Sequence, residues 1–177
     1  HPKHTCPRWR YLEHRIVRKN DGKVRNVKAI GDFIFNESGT RVKMYGVTKD
    51  ITDKKRAESE VRRLSTAVKQ SPSVIVITDA KGKLEYVNPK FTELTGYSSS
   101  ESIGKESNIL KSGEQNAAFY KEMWEKLESG KVWRGQFHNK KKNGELFWEA
   151  ASISAILNES GEVVNFIKIG EDITQQK

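Results

Sequence analysis

The stretch Ser73-Val74-Ile75-Val76-Ile77-Thr78-Asp79-Ala80-Lys81-Gly82-Lys83-Leu84-Glu85-Tyr86-Val87-Asn88-Pro89 decides how this chain folds. Its β-branched run over 73–79 predicts a strand, because branched side chains suit a pleated surface. Ala80-Lys81-Gly82 predicts a turn, and the alternation over 84–87 predicts the second strand of a hairpin. Asn88-Pro89 ends that strand and opens a helix, since proline at an early helical position lacks only a donor that has no partner there. Phe91, Leu94 and the stop at Gly96 give a short helix.

Further along, Ser98-Ser99-Ser100-Glu101 predicts a helix cap, and the short turn it opens closes at Gly104. Residues 105–116 are polar and glycine-containing, and predict a loop. Over 117–129, Phe119, Met123 and Leu127 recur every four residues, with Tyr120 and Trp124 one step round, and Gly130 follows. That is an amphipathic helix. Strands are predicted over 133–140, 146–157 and 163–171, joined by turns at Lys142-Asn143-Gly144 and Asn158-Glu159-Ser160-Gly161. Two hairpin-linked strands, several short helices and three hairpin-linked strands make an α+β fold. Its five-stranded sheet is antiparallel, with the helices over one face.

The chain also repeats itself. Asn36-Glu37-Ser38-Gly39 recurs as Asn158-Glu159-Ser160-Gly161, and Asp50-Ile51-Thr52 recurs as Asp172-Ile173-Thr174, both 122 residues on. The same offset sets Gly22 on Gly144 and Arg18-Lys19 on Lys140-Lys141. Two copies of one module are expected: the C-terminal part of a first over 1–52 and a complete second over 71–174. Three strands cannot bury both faces of a sheet, so residues ahead of His1 are expected to complete the first. Residues 53–70 form a charged helix with Ala57, Val61, Leu64 and Val68 along one seam. That seam either packs on its own domain or joins a second copy in a two-helix coiled coil. Residues 175–177 begin an exit helix.

Composition sets further bounds. Of 177 residues, 35% are apolar and 31% charged, and no run suits a membrane span or a signal peptide. The single cysteine, Cys6, excludes an internal disulfide and a cysteine-built zinc site, so a cytoplasmic location is expected. The net charge of +9 admits nucleic acid as a partner. Yet the lysines mix with 23 acidic residues, and the run Lys140-Lys141-Lys142 meets Asn143-Gly144, a hairpin tip. Nucleic-acid binding and direct membrane contact are therefore not expected.

Ser71-Pro72, Ile77-Thr78-Asp79, Gly82, Tyr86-Val87-Asn88-Pro89-Lys90-Phe91, Thr95-Gly96-Tyr97, Gly104-Lys105, Trp133-Arg134-Gly135, Asn143-Gly144 and Glu171-Asp172-Ile173-Thr174 together resemble a PAS domain. The resemblance spans about 64–174. It implies a sheet cupping short helices around a pocket, a homodimer, and signal transfer to a C-terminal kinase or cyclase domain of a larger protein. The stretch from Gly104 to Gly113, with Met123-Trp124, Trp133-Arg134-Gly135 and Asn139-Lys140-Lys141-Lys142, is most similar to the flavin-binding PAS domains of nitrogen-fixation redox sensors. That likeness implies FAD or FMN, with Trp124 and Asn139 at the ring.

An amide can donate and accept at a flavin's edge, and indole offers a stacking face. Period-two alternation sets Asn139 on one face with Phe137, Gly135 and Trp133. Each candidate also has a plain structural reading: Trp124 as core, Asn139 as a strand end, Asn88 as a helix cap, Trp148 as sheet cover. Ser107 stands where the redox sensors carry glutamate and the light-sensing branch carries cysteine, so a thiol–flavin adduct is not expected. His138, the only histidine of the complete module, alternates away from Asn139, which argues against haem. The resemblance further implies that Asp172 pairs with a base and helps link the sheet to the exit helix. No catalytic constellation or metal site is expected. The functional expectation is a sensory module, sensing redox through flavin; the alternative is a cofactor-free PAS module for dimerisation and relay.

Overall fold

The computed structural model describes residues 10–177, and of Arg10 the backbone alone. His1, His4 and Cys6 lie outside them. The chain divides between Leu64 and Ser65 into two compact units. No helix among the described residues is long and apolar enough to cross a membrane.

The first unit is an antiparallel sheet of β1 (Arg10–Val17), β2 (Val24–Phe35) and β3 (Arg41–Asp50), in that order. Its apolar side chains are poorly covered: Leu12, Val42, Met44 and Val47 are exposed, while Val27 is buried. Helix α1 (Thr52–Lys69) follows, with Val61 and Leu64 of its seam exposed.

The second unit orders its strands β5-β4-β8-β7-β6, every pair antiparallel. β4 (Val74–Asp79) and β5 (Leu84–Val87) form the first hairpin; β6 (Trp133–Lys140), β7 (Leu146–Leu157) and β8 (Val163–Asp172) form a meander. Pairing of β4 with β8 closes the two groups into one sheet. Between them lie α2 (Pro89–Thr95), α3 (Ser99–Ser102) and α4 (Ala117–Glu128). The 105–116 stretch, expected as loop, holds a 3-10 turn at Ser107–Leu110, drawn down because Leu110 is buried beside Val76, Leu84 and Phe91. A second cluster joins Met123 and Leu127 of α4 to Trp133, Phe137, Ala151, Ile153 and Phe166.

Local chemistry explains two of the short motifs. The Trp133 indole folds along its own strand over Gly135, where a Cβ would lie 2.3 Å from the ring. Only a bare backbone accommodates that. Ser98 and Glu101 make the expected capping box.

The repeated segments build the same ties in each unit. Ile51 N–H donates to Asn26 C=O at 2.8 Å, and Ile173 N–H to Trp148 C=O at 2.9 Å. Asn26 N–H donates to Thr52 Oγ1 at 2.8 Å, and Trp148 N–H to Thr174 Oγ1 at 3.0 Å. Pairing of Val27 with Asp50 matches Glu149 with Asp172, again 122 residues on. The first hairpin breaks the offset. Six residues join β1 to β2 and five join β6 to β7, so Arg18 matches Lys141, not Lys140. The extra residue is absorbed in the loop, and the strand faces are preserved.

Candidate functional site

A cavity of about 470 Å³ lies between the sheet and the helices of the second unit. Its floor is the inward face of four strands: Val76 and Thr78, Phe166 and Lys168, Ile153, and Phe137 and Asn139. Tyr120, Met123, Trp124 and Leu127 of α4 form one wall, and the 3-10 turn with Leu84 and Phe91 completes the lining. The volume falls in the range of small-molecule sites, and the lining is apolar with few polar groups.

Asn139 and Trp124 both line this cavity, as does Ser107. Asn139 is 6% exposed, and its Nδ2 donates to Glu149 Oε2 at 2.7 Å. Among the described residues its Oδ1 accepts no hydrogen bond, which leaves an acceptor for a ligand. Trp124 packs edge-on against Phe166, centroids 5.5 Å apart, and keeps 37% of its surface. It is therefore a wall between cavity and solvent more than core. Ser107 N–H donates to Gly82 C=O at 3.0 Å, which sets the serine at the mouth. Glu106 also lines the mouth, its carboxylate held by the Asn108 amide at 2.7 Å.

Two expected site residues are elsewhere. Asn88 is wholly buried outside the cavity lining. Its Oδ1 accepts from Ile75 N–H at 3.0 Å and Phe91 N–H at 3.1 Å, and its Nδ2 donates to Ser73 C=O at 2.9 Å and Val68 C=O at 3.3 Å. All four of its hydrogen-bonding capacities are used, so it caps α2 and ties it to β4. Trp148 points to the opposite sheet face, where it stacks on His138 with centroids 4.4 Å apart and planes 6° from parallel. Asp172 also departs from expectation. It forms no ion pair among the described residues; its Oδ1 accepts from Thr174 N–H at 2.9 Å, closing the turn that ends β8.

The site's ionic partners were not anticipated. Glu149 is 1% exposed, and its Oε2 takes both Asn139 Nδ2 and, at 2.8 Å, Lys168 Nζ. Its Oε1 is buried with no hydrogen bond. It rests on Gly170, where a Cβ would lie 2.0 Å away. The signal was present: alternation along Phe147, Glu149 and Ala151 puts a carboxylate on the inward face. A lone charge at an inward position marks a partner or a site. No cluster of metal-ligating side chains occurs among the described residues.

The cavity and the sheet order together define an α+β module with an interior of ligand size. Residues 72–175 match the PAS domain family, and the chain belongs to it. It is 33% identical over 109 residues to the nitrogen fixation regulatory protein of Klebsiella oxytoca, covering 62% of this chain and 22% of that one. It is 32% identical over 127 residues to the hybrid signal transduction histidine kinase L of Dictyostelium discoideum, covering 70% of this chain and 7% of that one. The chain thus spans a small part of either relative. The PAS domain of a Colwellia psychrerythraea protein superimposes with a TM-score of 0.62 at 25% identity, over 66% of this chain and 98% of that one. A light-oxygen-voltage domain studied with a flavin analogue does so with a TM-score of 0.57 at 28% identity, over 67% and 87%.

Proposed function

We propose that residues 65–177 form the ligand-sensing PAS module of a larger signalling protein, and that the ligand is a flavin whose redox state is the signal. The observation that carries this reading is the cavity of about 470 Å³ with Asn139 on its floor and Trp124 on its wall. The donor set fits. Asn139 Oδ1 suits a ring N–H, Lys168 suits ring carbonyls, and Trp124 and Phe137 supply apolar surface for the ring. A bound flavin would supply a redox couple that changes the hydrogen-bonding character of its edge. The protein's part is to hold that edge against β6 and β8 and to exclude water. A state change alters output only through differential affinity for two arrangements of the module. Ser107 at the mouth has no thiol, so blue light forms no sulfur adduct.

The test is the absorption spectrum of purified protein and of protein reconstituted with FAD or FMN. Flavin bands are expected, with retention lowered in Asn139→Ala. Colourless protein that takes up neither flavin overturns the reading. One observation favours a cofactor-free relay: Asn139 Nδ2 and Lys168 Nζ, the two donors of the floor, are both held by Glu149 Oε2. The same spectra decide between the two.

In this reading the first sheet is the C-terminal half of a further PAS module, supported by its matching ties at Ile51 and Thr52 and by its uncovered apolar side chains. Helix α1 connects the modules and pairs with α1 of a second copy, supported by the exposure of Val61 and Leu64. The effector is a kinase or cyclase beyond the C-terminus.

A further inference from the structure

We propose that the Glu149–Lys168 pair sets the charge the cavity accepts, selecting a ring whose sheet-facing edge is an anion or a set of carbonyl acceptors. This rests on reading the cavity as a ligand site, and does not require the ligand to be flavin.

Three observations carry it. First, the charged residues of the lining are Lys81, Lys111 and Lys168 against Glu106, an excess of ammonium groups. Second, only Lys168 stands on the floor: its side chain is 17% exposed and its Nζ lies 5.8 Å from the Phe137 ring centroid. Third, its counter-ion is placed behind the lining. Glu149 is no part of the cavity wall, yet its Oε2 holds both floor groups, Lys168 and Asn139. A buried ion pair is a poor stabiliser, because desolvation offsets the attraction, and Glu149 Oε1 has no partner at all. An apolar pair would fill the space at lower cost. The arrangement makes sense as a setting of potential: Lys168 faces the ligand, and Glu149 cancels part of its field from below. Charges act strongly between groups as buried as these two.

Two aromatic probes of similar shape test this in the whole chain: anionic anilinonaphthalene sulfonate and uncharged phenylnaphthylamine. Binding to the cavity is the component that Ser107→Trp, which plugs the mouth, abolishes. Glu149→Gln is expected to tighten the sulfonate about tenfold and Lys168→Met to weaken it about tenfold, with the neutral probe held within about twofold. Glu149→Gln with Lys168→Met together is expected to restore wild-type selectivity. If Lys168→Met alone fails to fold, the double variant against Glu149→Gln reads the same charge. Parallel shifts of both probes, equal signs for the two variants, or no component removed by Ser107→Trp would overturn the proposal. Cavity binding of the sulfonate with the expected signs in a protein that takes up no flavin retires the flavin reading and leaves this one standing.

Discussion

Asn88 and Glu149 are both polar side chains fully buried in the interior of the second unit, and they serve opposite ends. Asn88 is fully satisfied by backbone groups of four residues. Asn88→Ala strands buried donors and acceptors and is expected to cost about 2–4 kcal/mol, read as a lower urea midpoint with no change in cavity binding. Its helix-capping role was legible in Asn88-Pro89, because a cap is a local arrangement. Glu149 depends on Lys168, nineteen residues away, and on the emptiness above Gly170, which no short window displays. Gly170→Ala would push that carboxylate off its seat. A loss of about 1–3 kcal/mol is expected, together with altered probe selectivity, since the clash falls on a buried paired group and not on a free side-chain end.

Among the elements, α3 shows how a four-residue helix persists. Its capping box supplies the bonds its length cannot, and Lys142 from the β6–β7 turn reaches Glu101. The Lys142 ammonium and the Ser98 hydroxyl and N–H draw the Glu101 carboxyl down to about 2 from its ordinary 4.5. A lowered folded pKa stabilises above the ordinary value and is lost as pH falls through the folded one. Stability is thus expected to fall between pH 4.5 and about 2, and Glu101→Gln should flatten that limb when urea midpoints are followed against pH. Near the start of β7, Thr174 Oγ1 accepts from Trp148 N–H and pins the turn after β8. Thr174→Val removes that acceptor. Faster hydrogen exchange at Trp148 and Ile173 is the expected result, with the amides of β4 unchanged. The strands over 84–87, 133–140 and 146–157 were readable to the residue, because alternation and turn glycines are written side by side. The 3-10 turn was not, since it exists only through the burial of Leu110.

For the molecule as a whole, order along the chain revealed the antiparallel sheet, but closure of β4 on β8 joins segments nearly ninety residues apart and came into view through the family pattern. The exposed seam of α1 predicts a concentration-dependent dimer. Light scattering should find wild type at twice the chain mass, and Val61→Glu with Leu64→Glu should return it to one chain while leaving the far-ultraviolet spectrum helical. The extra residue in the first hairpin bears on the same scale. It keeps strand faces aligned, so Ile16, Val27, Gly46 and Thr48 occupy the places of Asn139, Glu149, Lys168 and Gly170. Both sheets fasten their trailing segment alike, yet one offers hydrocarbon and naked main chain where the other offers an ammonium over a hidden acid. A compound gripped through the Lys168 ammonium and the Asn139 amide of the second unit would meet no such groups at the matching places of the first.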